Sequence, residues 1–152
     1  KKDLAMISMT YGNIYVAKVS MANPGQVVKA MLEADAYDGP SLIIAYSHCI
    51  AHGINMTTAV DGCKEAVTSG YWPLFRFDPR LAAEGKNPLQ LDSKAPTTSF
   101  EDFTSKQNRF RMLKKANPEQ AEELMEASAK DFAARFDLYQ KLADLSADCG
   151  SK

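Results

Sequence analysis

Apolar positions recur with two different periods along the first half of the chain, and the alternation between the periods predicts its architecture. Asp3 can cap a helix whose apolar positions Leu4, Ile7 and Tyr11 fall at helical spacing and which Gly12 stops. Asn13 to Ser20, with Ile14, Tyr15, Val16 and Val19, reads as a strand. Asn23 then Pro24 starts a helix, a capping side chain ahead of the residue best tolerated at the first helical position. Val27, Val28, Met31 and Leu32 are expected to form its inner face, as far as about Tyr37. Asp38-Gly39-Pro40 is a turn, and the nearly continuous apolar run from Ser41 to Tyr46 is the pattern of a strand covered on both faces. Two strands joined by one crossover helix predict a right-handed parallel unit and an α/β fold.

Beyond this unit, Thr57 to Ser69 is expected to be helical and closed by Gly70, and Tyr71 to Phe77 extended, interrupted by Pro73. Pro79, Gly85, Pro88 and Pro96 punctuate residues 78–98, which predicts a meander with little regular structure. Ser99 with Asp102 resembles a capping box for a helix carrying Phe103, Phe110 and Leu113. Asn117-Pro118 starts another, whose apolar positions from Ala121 to Leu145 sustain helical spacing over roughly 40 Å. The chain therefore divides into an α/β body over residues 1–98 and a helical extension over residues 99–152, with one sticky face expected to pack on a parent protein or a second protomer.

Charge sharpens this division. Residues 1–60 carry eight charged side chains and residues 101–152 carry nineteen, so the first segment reads as buried and the last as solvated. In all, 152 residues that are 45% apolar and 24% charged suffice for one core with an appendage. A net charge of −1 gives no basic face for nucleic acid or an anionic membrane, and both are set aside as partners. No apolar run approaches the ~20 residues of a membrane span and no signal-peptide pattern is present, which predicts a cytoplasmic protein. Cys49, Cys63 and Cys149 are odd in number and widely spaced, so they read as thiols or metal ligands rather than a disulfide framework. The chain begins on Lys1, not Met, and is read as a processed product or a piece of something longer.

Ligands of a parallel sheet bind beyond the carboxyl ends of its strands, and Ser47-His48-Cys49-Ile50-Ala51-His52-Gly53 is predicted to lie there. Cys49 could be a nucleophile activated by His48 or His52, a zinc ligand, a thiolate of an iron–sulfur cluster, or a buried thiol that only packs. Neither histidine has a carboxylate nearby in sequence to orient it, so neither is assigned a role. Cys63 and Cys149 read as inert, and no catalytic acid or base is identified. The aromatic run from Tyr71 to Phe77 holds a single arginine, too little for a phosphate track, and is expected to pack against a sheet edge or neighbouring chain. No glycine-rich phosphate loop occurs, so any diphosphate must be held by residues outside the chain.

With these segments laid out, the chain resembles the carboxy-terminal part of the thiamine-diphosphate-binding domain of the pyruvate:ferredoxin (flavodoxin) oxidoreductases. The resemblance is carried by Met9-Thr10-Tyr11-Gly12, Gly39-Pro40-Ser41-Leu42, Cys49-Ile50 with Gly53, Ser69-Gly70-Tyr71-Trp72-Pro73-Leu74, Gln90-Leu91-Asp92-Ser93-Lys94 and Asn108-Arg109-Phe110. It implies part of a thiamine-diphosphate-binding parallel-sheet fold with a carboxy-terminal helical arm. The activity it implies is oxidative decarboxylation of pyruvate with coenzyme A to acetyl-coenzyme A and carbon dioxide, in a homodimeric parent. Thiamine diphosphate with Mg2+ would be the electron sink, and three 4Fe-4S clusters would carry electrons to ferredoxin or flavodoxin. By the same match Cys49 is the fourth cysteine ligand of the cluster nearest the thiamine. The close cysteine pair, the third cysteine and the diphosphate-holding segment have no counterpart here, so the chain alone is expected to be inactive. Two readings stay beside this one: a related 2-oxoacid oxidoreductase with another substrate, and a non-catalytic α/β scaffold in which Cys49 is merely buried.

Overall fold

Asp3 caps α1 (Leu4–Met9) by accepting a hydrogen bond from the Met6 N–H at 3.3 Å. Gly12, at φ +74°, then turns the chain into β1 (Tyr15–Ser20), a conformation that costs a residue with a side chain. These and the elements below belong to the computed structural model, which describes residues 2–48, 50 and 55–145. Asn23 accepts from the Gln26 N–H and Pro24 opens α2 (Pro24–Asp35), as the sequence predicts, although the helix stops short of Tyr37. β2 (Ser41–Tyr46) returns parallel to β1, in register from Tyr15 opposite Ser41 to Ser20 opposite Tyr46.

From there the sheet departs from the all-parallel expectation. After α3 (Ala59–Thr68), the chain enters β3 (Phe75–Phe77), which runs antiparallel to β1. Residues 78–98 are more regular than a meander: they hold the short α4 (Arg80–Ala83) and β4 (Leu89–Leu91), antiparallel to β3. A four-stranded mixed sheet in the order β2-β1-β3-β4 results. The expected first helix of the extension is two, α5 (Phe100–Ser105), capped by Ser99 accepting from the Asp102 N–H, and α6 (Asn108–Ala116). α7 (Pro118–Asp144) follows as one helix of 27 residues.

Both faces of β1 are covered. On one, Tyr15, Ala17 and Val19 meet α2 through Ala30, Val27 and Ala34. The expected inner face of α2 is therefore largely wrong, since Val28, Met31 and Leu32 are 58%, 52% and 65% exposed. The helix instead turns inward the stripe of Gln26, Ala30 and Glu33, because the sheet beneath carries Arg76, whose charge needs polar partners more than another hydrocarbon. Neither is β2 enclosed on both faces: it is an edge strand, and its residues are half-buried or exposed.

On the opposite face Val16 and Phe75 pack with Ala5 and Met9 of α1, Leu89 of β4 and Tyr139 of α7. Part of the apolar face of α7 is thus used within this chain. Fully buried Tyr139 packs its ring, tilted, against Phe75 with centroids 4.5 Å apart, and its hydroxyl donates to Asp3 Oδ2 at 2.8 Å. At the helix end, Asn87 Nδ2 donates to the carbonyls of Leu142, Ala143 and Leu145, which α7 itself leaves unpaired. Tyr139→Ala is expected to destabilise the chain by about 3–5 kcal/mol, and Tyr139→Phe by about 1 kcal/mol, in urea denaturation. Burial, followed by the Asp3 carboxylate, holds the Tyr139 phenol well above its ordinary range. Its contribution is therefore complete below the ordinary phenol value near pH 10 and is lost as pH rises through the raised one. Stability that falls equally steeply with alkaline pH in wild type and Tyr139→Phe would count against this assignment.

Candidate functional site

β1 and β2 end in register at Ser20 and Tyr46, so their carboxyl ends share one edge of the sheet. Because β3 is antiparallel, its entry lies at that same edge, with Phe75 opposite Lys18. Tyr71 and Trp72, just ahead of β3, thereby reach the end of the sheet where the parallel strands stop. Gly70 makes the approach possible: its φ is +74°, and a Cβ there would sit 2.9 Å from the Pro96 side chain. Trp72 Nε1 donates to the Val19 carbonyl at 3.0 Å, and Tyr46 packs its ring on Trp72 and Tyr71 at 5.5 and 6.2 Å.

The aromatic run packs at the sheet edge, one of the two expected places, and its partners are elements of this same chain. Tyr71 contacts Phe103 of α5 and Phe132 of α7 at 5.0 and 4.7 Å, which fastens the helical extension to the edge. Beneath Trp72, Lys18 is only 6% exposed and places its Nζ 4.2 Å from the centre of the indole ring, a cation–π contact favoured by the low-dielectric surroundings.

His48 lies at this edge, with Nδ1 3.2 Å from the Cys63 sulfur on α3. Cys63 is 1% exposed. Burial pushes its thiol up from the ordinary value, against hydrogen bonds from the His48 main chain and the Ser20 hydroxyl that pull it down. The result is a protonated, enclosed thiol, unsuited to act as a nucleophile. The inert reading of Cys63 thus agrees with its burial, but its place beside His48 and Ser20 was not legible: a cysteine fifteen residues beyond His48 gives no local signal. Cys49, His52 and Cys149 lie outside the described residues.

A 4Fe-4S cluster takes four thiolates. Among the described residues no group of three or more His, Cys, Asp or Glu side chains could hold a metal, and the Cys63 thiol is protonated. The described residues at this edge therefore supply no ligand set for such a cluster. No glycine-rich phosphate loop occurs in the sequence, and no step through thiamine diphosphate is assigned to this chain. Among the described residues no helix is long and apolar enough to cross a membrane.

No protein-family model matches the chain. Comparison with curated proteins finds 54% identity over 144 residues with a pyruvate-flavodoxin oxidoreductase of Nostoc sp., which is 94% of this chain and 12% of that protein. A pyruvate:ferredoxin oxidoreductase of Moorella thermoacetica is 54% identical over 95% of this chain and 12% of its own length. The mitochondrial NADP+ pyruvate dehydrogenase of Euglena gracilis is 49% identical over 95% of this chain and 8% of its own length. The chain thus matches one segment of these oxidoreductases and spans about an eighth or less of the length of each.

Proposed function

Because 94–95% of the chain matches one segment of the pyruvate-flavodoxin and pyruvate:ferredoxin oxidoreductases, we propose that it is part of a cytoplasmic enzyme of that activity. The parent oxidatively decarboxylates pyruvate with coenzyme A to acetyl-coenzyme A and carbon dioxide, and passes electrons through 4Fe-4S clusters to ferredoxin or flavodoxin. Thiamine diphosphate with Mg2+, held outside this segment, supplies the carbanion chemistry when bound. This segment contributes one cluster ligand, Cys49, three residues beyond the end of β2 in the sequence. The observation that carries the proposal is the sequence match over nearly the whole chain.

Two features of the fold support a segment that works inside a larger body. The stripe of Val28, Met31 and Leu32 on α2 stays at the surface, and β2 leaves one edge unpaired among the described residues. Exposed apolar stripes and open strand edges are the surfaces that proteins cover. Met112, Leu124 and Leu138, exposed on α6 and α7, offer the extension a second docking face toward the parent or a second protomer of a homodimer.

The test is the full-length parent under anaerobic conditions, assayed with pyruvate and with 2-oxoglutarate. Coenzyme-A-dependent reduction of ferredoxin or flavodoxin by pyruvate is expected, with 2-oxoglutarate at least about tenfold slower, a margin that a few differential pocket contacts provide. Preference for 2-oxoglutarate would overturn the choice of substrate, and no reduction with either acid would overturn the activity. The 152-residue chain by itself is expected to bind no cluster and to show no turnover, because one cysteine cannot replace four.

A further inference from the structure

We infer that Arg109, on the first turn of α6, anchors an oxyanion site at the carboxyl edge of the sheet, taking a carboxylate or phosphate group that none of the described residues supplies. Arg109 is half-buried, and among the described residues its guanidinium makes one hydrogen bond, from Nη2 to the Tyr71 hydroxyl at 3.1 Å. The guanidinium carbon lies 5.6 and 4.7 Å from the ring centres of Tyr71 and Phe110, and Nε is enclosed with no acceptor. Arg76 and Arg135, by contrast, each reach two carboxylates. A guanidinium that has shed water calls for an anion close by, because aromatic faces offset only part of the lost solvation.

Further donors stand beside it. The Tyr71 hydroxyl accepts from Arg109, so its own O–H remains to donate. Tyr46, the last residue of β2, packs on Tyr71 with ring centres 6.2 Å apart, and among the described residues its hydroxyl has no hydrogen-bond partner. Burial raises the Tyr46 phenol above its ordinary range, and the Arg109 charge acts against that rise, so the two lie within electrostatic reach. Gln107, the N-cap of α6, is 5% exposed yet gives the helix no side-chain hydrogen bond, and its Oε1 is enclosed without a donor. No side-chain cap therefore covers the N–H groups of the first turn of α6. A guanidinium and two phenols, with no carboxylate among them, meet where the parallel strands end, the place at which such sheets bind ligands. Every one of these groups can donate to an oxyanion, which also supplies the charge that Arg109 lacks.

The test uses the full-length parent, in which the oxyanion comes either from a free ligand or from an acidic side chain outside the described residues. For the first source, inorganic phosphate and, separately, acetate are titrated calorimetrically into wild type and Arg109→Gln. Wild type is expected to show a site that Arg109→Gln weakens by about 10- to 100-fold. Arg109→Lys, which keeps the charge without the planar fork, is expected to weaken it less. For the second source, a crystal structure of the wild-type parent is expected to place an Asp or Glu carboxylate within about 4 Å of the guanidinium, and neither anion then shows a site that depends on Arg109. Either result supports the site and identifies its source. Should Arg109→Gln fail to assemble, wild-type crystals soaked in selenate replace the titration, with selenium located at the guanidinium by its anomalous scattering. A parent with no carboxylate beside Arg109, and with neither an Arg109-dependent anion site nor selenate there, overturns the inference.

Discussion

Cys49→Ala in the full-length parent is expected to lose one 4Fe-4S cluster and spare the others. Such a cluster takes four thiolates, and a methyl group offers iron no electron pair, so one corner of the cluster is left without its protein ligand. Iron should fall by about a third if the parent carries the three clusters its resemblance implies, with one low-temperature resonance signal lost and the others kept. On the proposed reading the cluster Cys49 serves would be the first electron acceptor, so pyruvate-dependent reduction of ferredoxin should fall by roughly 100-fold or more. The variant should still assemble, since the substitution leaves the residues packed on both faces of β1 unchanged. Unchanged iron and spectra would return Cys49 to a packing role and leave the segment as a scaffold.

Arg76→Met is expected to destabilise the chain by about 3–5 kcal/mol. Arg76 is 4% exposed. Its Nε and Nη2 donate to the two Asp92 oxygens at 2.9 and 2.8 Å, Nη1 donates to Glu33 at 2.6 Å, and Nη2 also donates to Gln90 at 2.9 Å. The carboxylates are tied in turn: Tyr15 donates its hydroxyl to Glu33, and Gln26 donates to Asp92. Methionine fills much of the volume but leaves two carboxylates partly buried with no cation, and that uncompensated charge, rather than the lost pair, sets the cost. In a chain of this size the midpoint of thermal unfolding should drop by roughly 10 °C. Arg76→Lys keeps a charge but has no planar fork for Asp92, so it should recover only part of the loss. Adding Glu33→Gln and Asp92→Asn to Arg76→Met should recover part as well. An Arg76→Met chain within about 1 kcal/mol of wild type in urea denaturation would show that water already compensates the carboxylates.

The helices announced by a capping side chain start where the cap stands. Asp3, Asn23, Ser99 and Asn117 all accept main-chain hydrogen bonds as caps, and α7 runs unbroken from Pro118. A cap and the main-chain N–H it binds are three residues apart, so their chemistry is written in one stretch of chain. The carboxyl edge of β1 and β2 was likewise legible, since one crossover helix between two apolar strands admits little else.

What required the tertiary structure is every pairing between distant segments. The antiparallel entry of β3 carries Trp72 and Tyr71 to the site, yet nothing in Tyr71 to Phe77 states its direction relative to β1. Arg76 sits between two phenylalanines whose side chains take the other face of the sheet, and its partners lie sixteen and forty-three residues away. That distant charge chose the inward face of α2 against hydrophobic periodicity, because an unpaired buried guanidinium costs more than a surface left apolar. In the same way Cys63 meets His48 only once α3 has folded over the sheet edge. Local propensity, summed over a few neighbouring residues, determined the capped helices and the first two strands. Desolvation and packing act between whatever surfaces the fold brings together, and they alone decided which side chains face one another there.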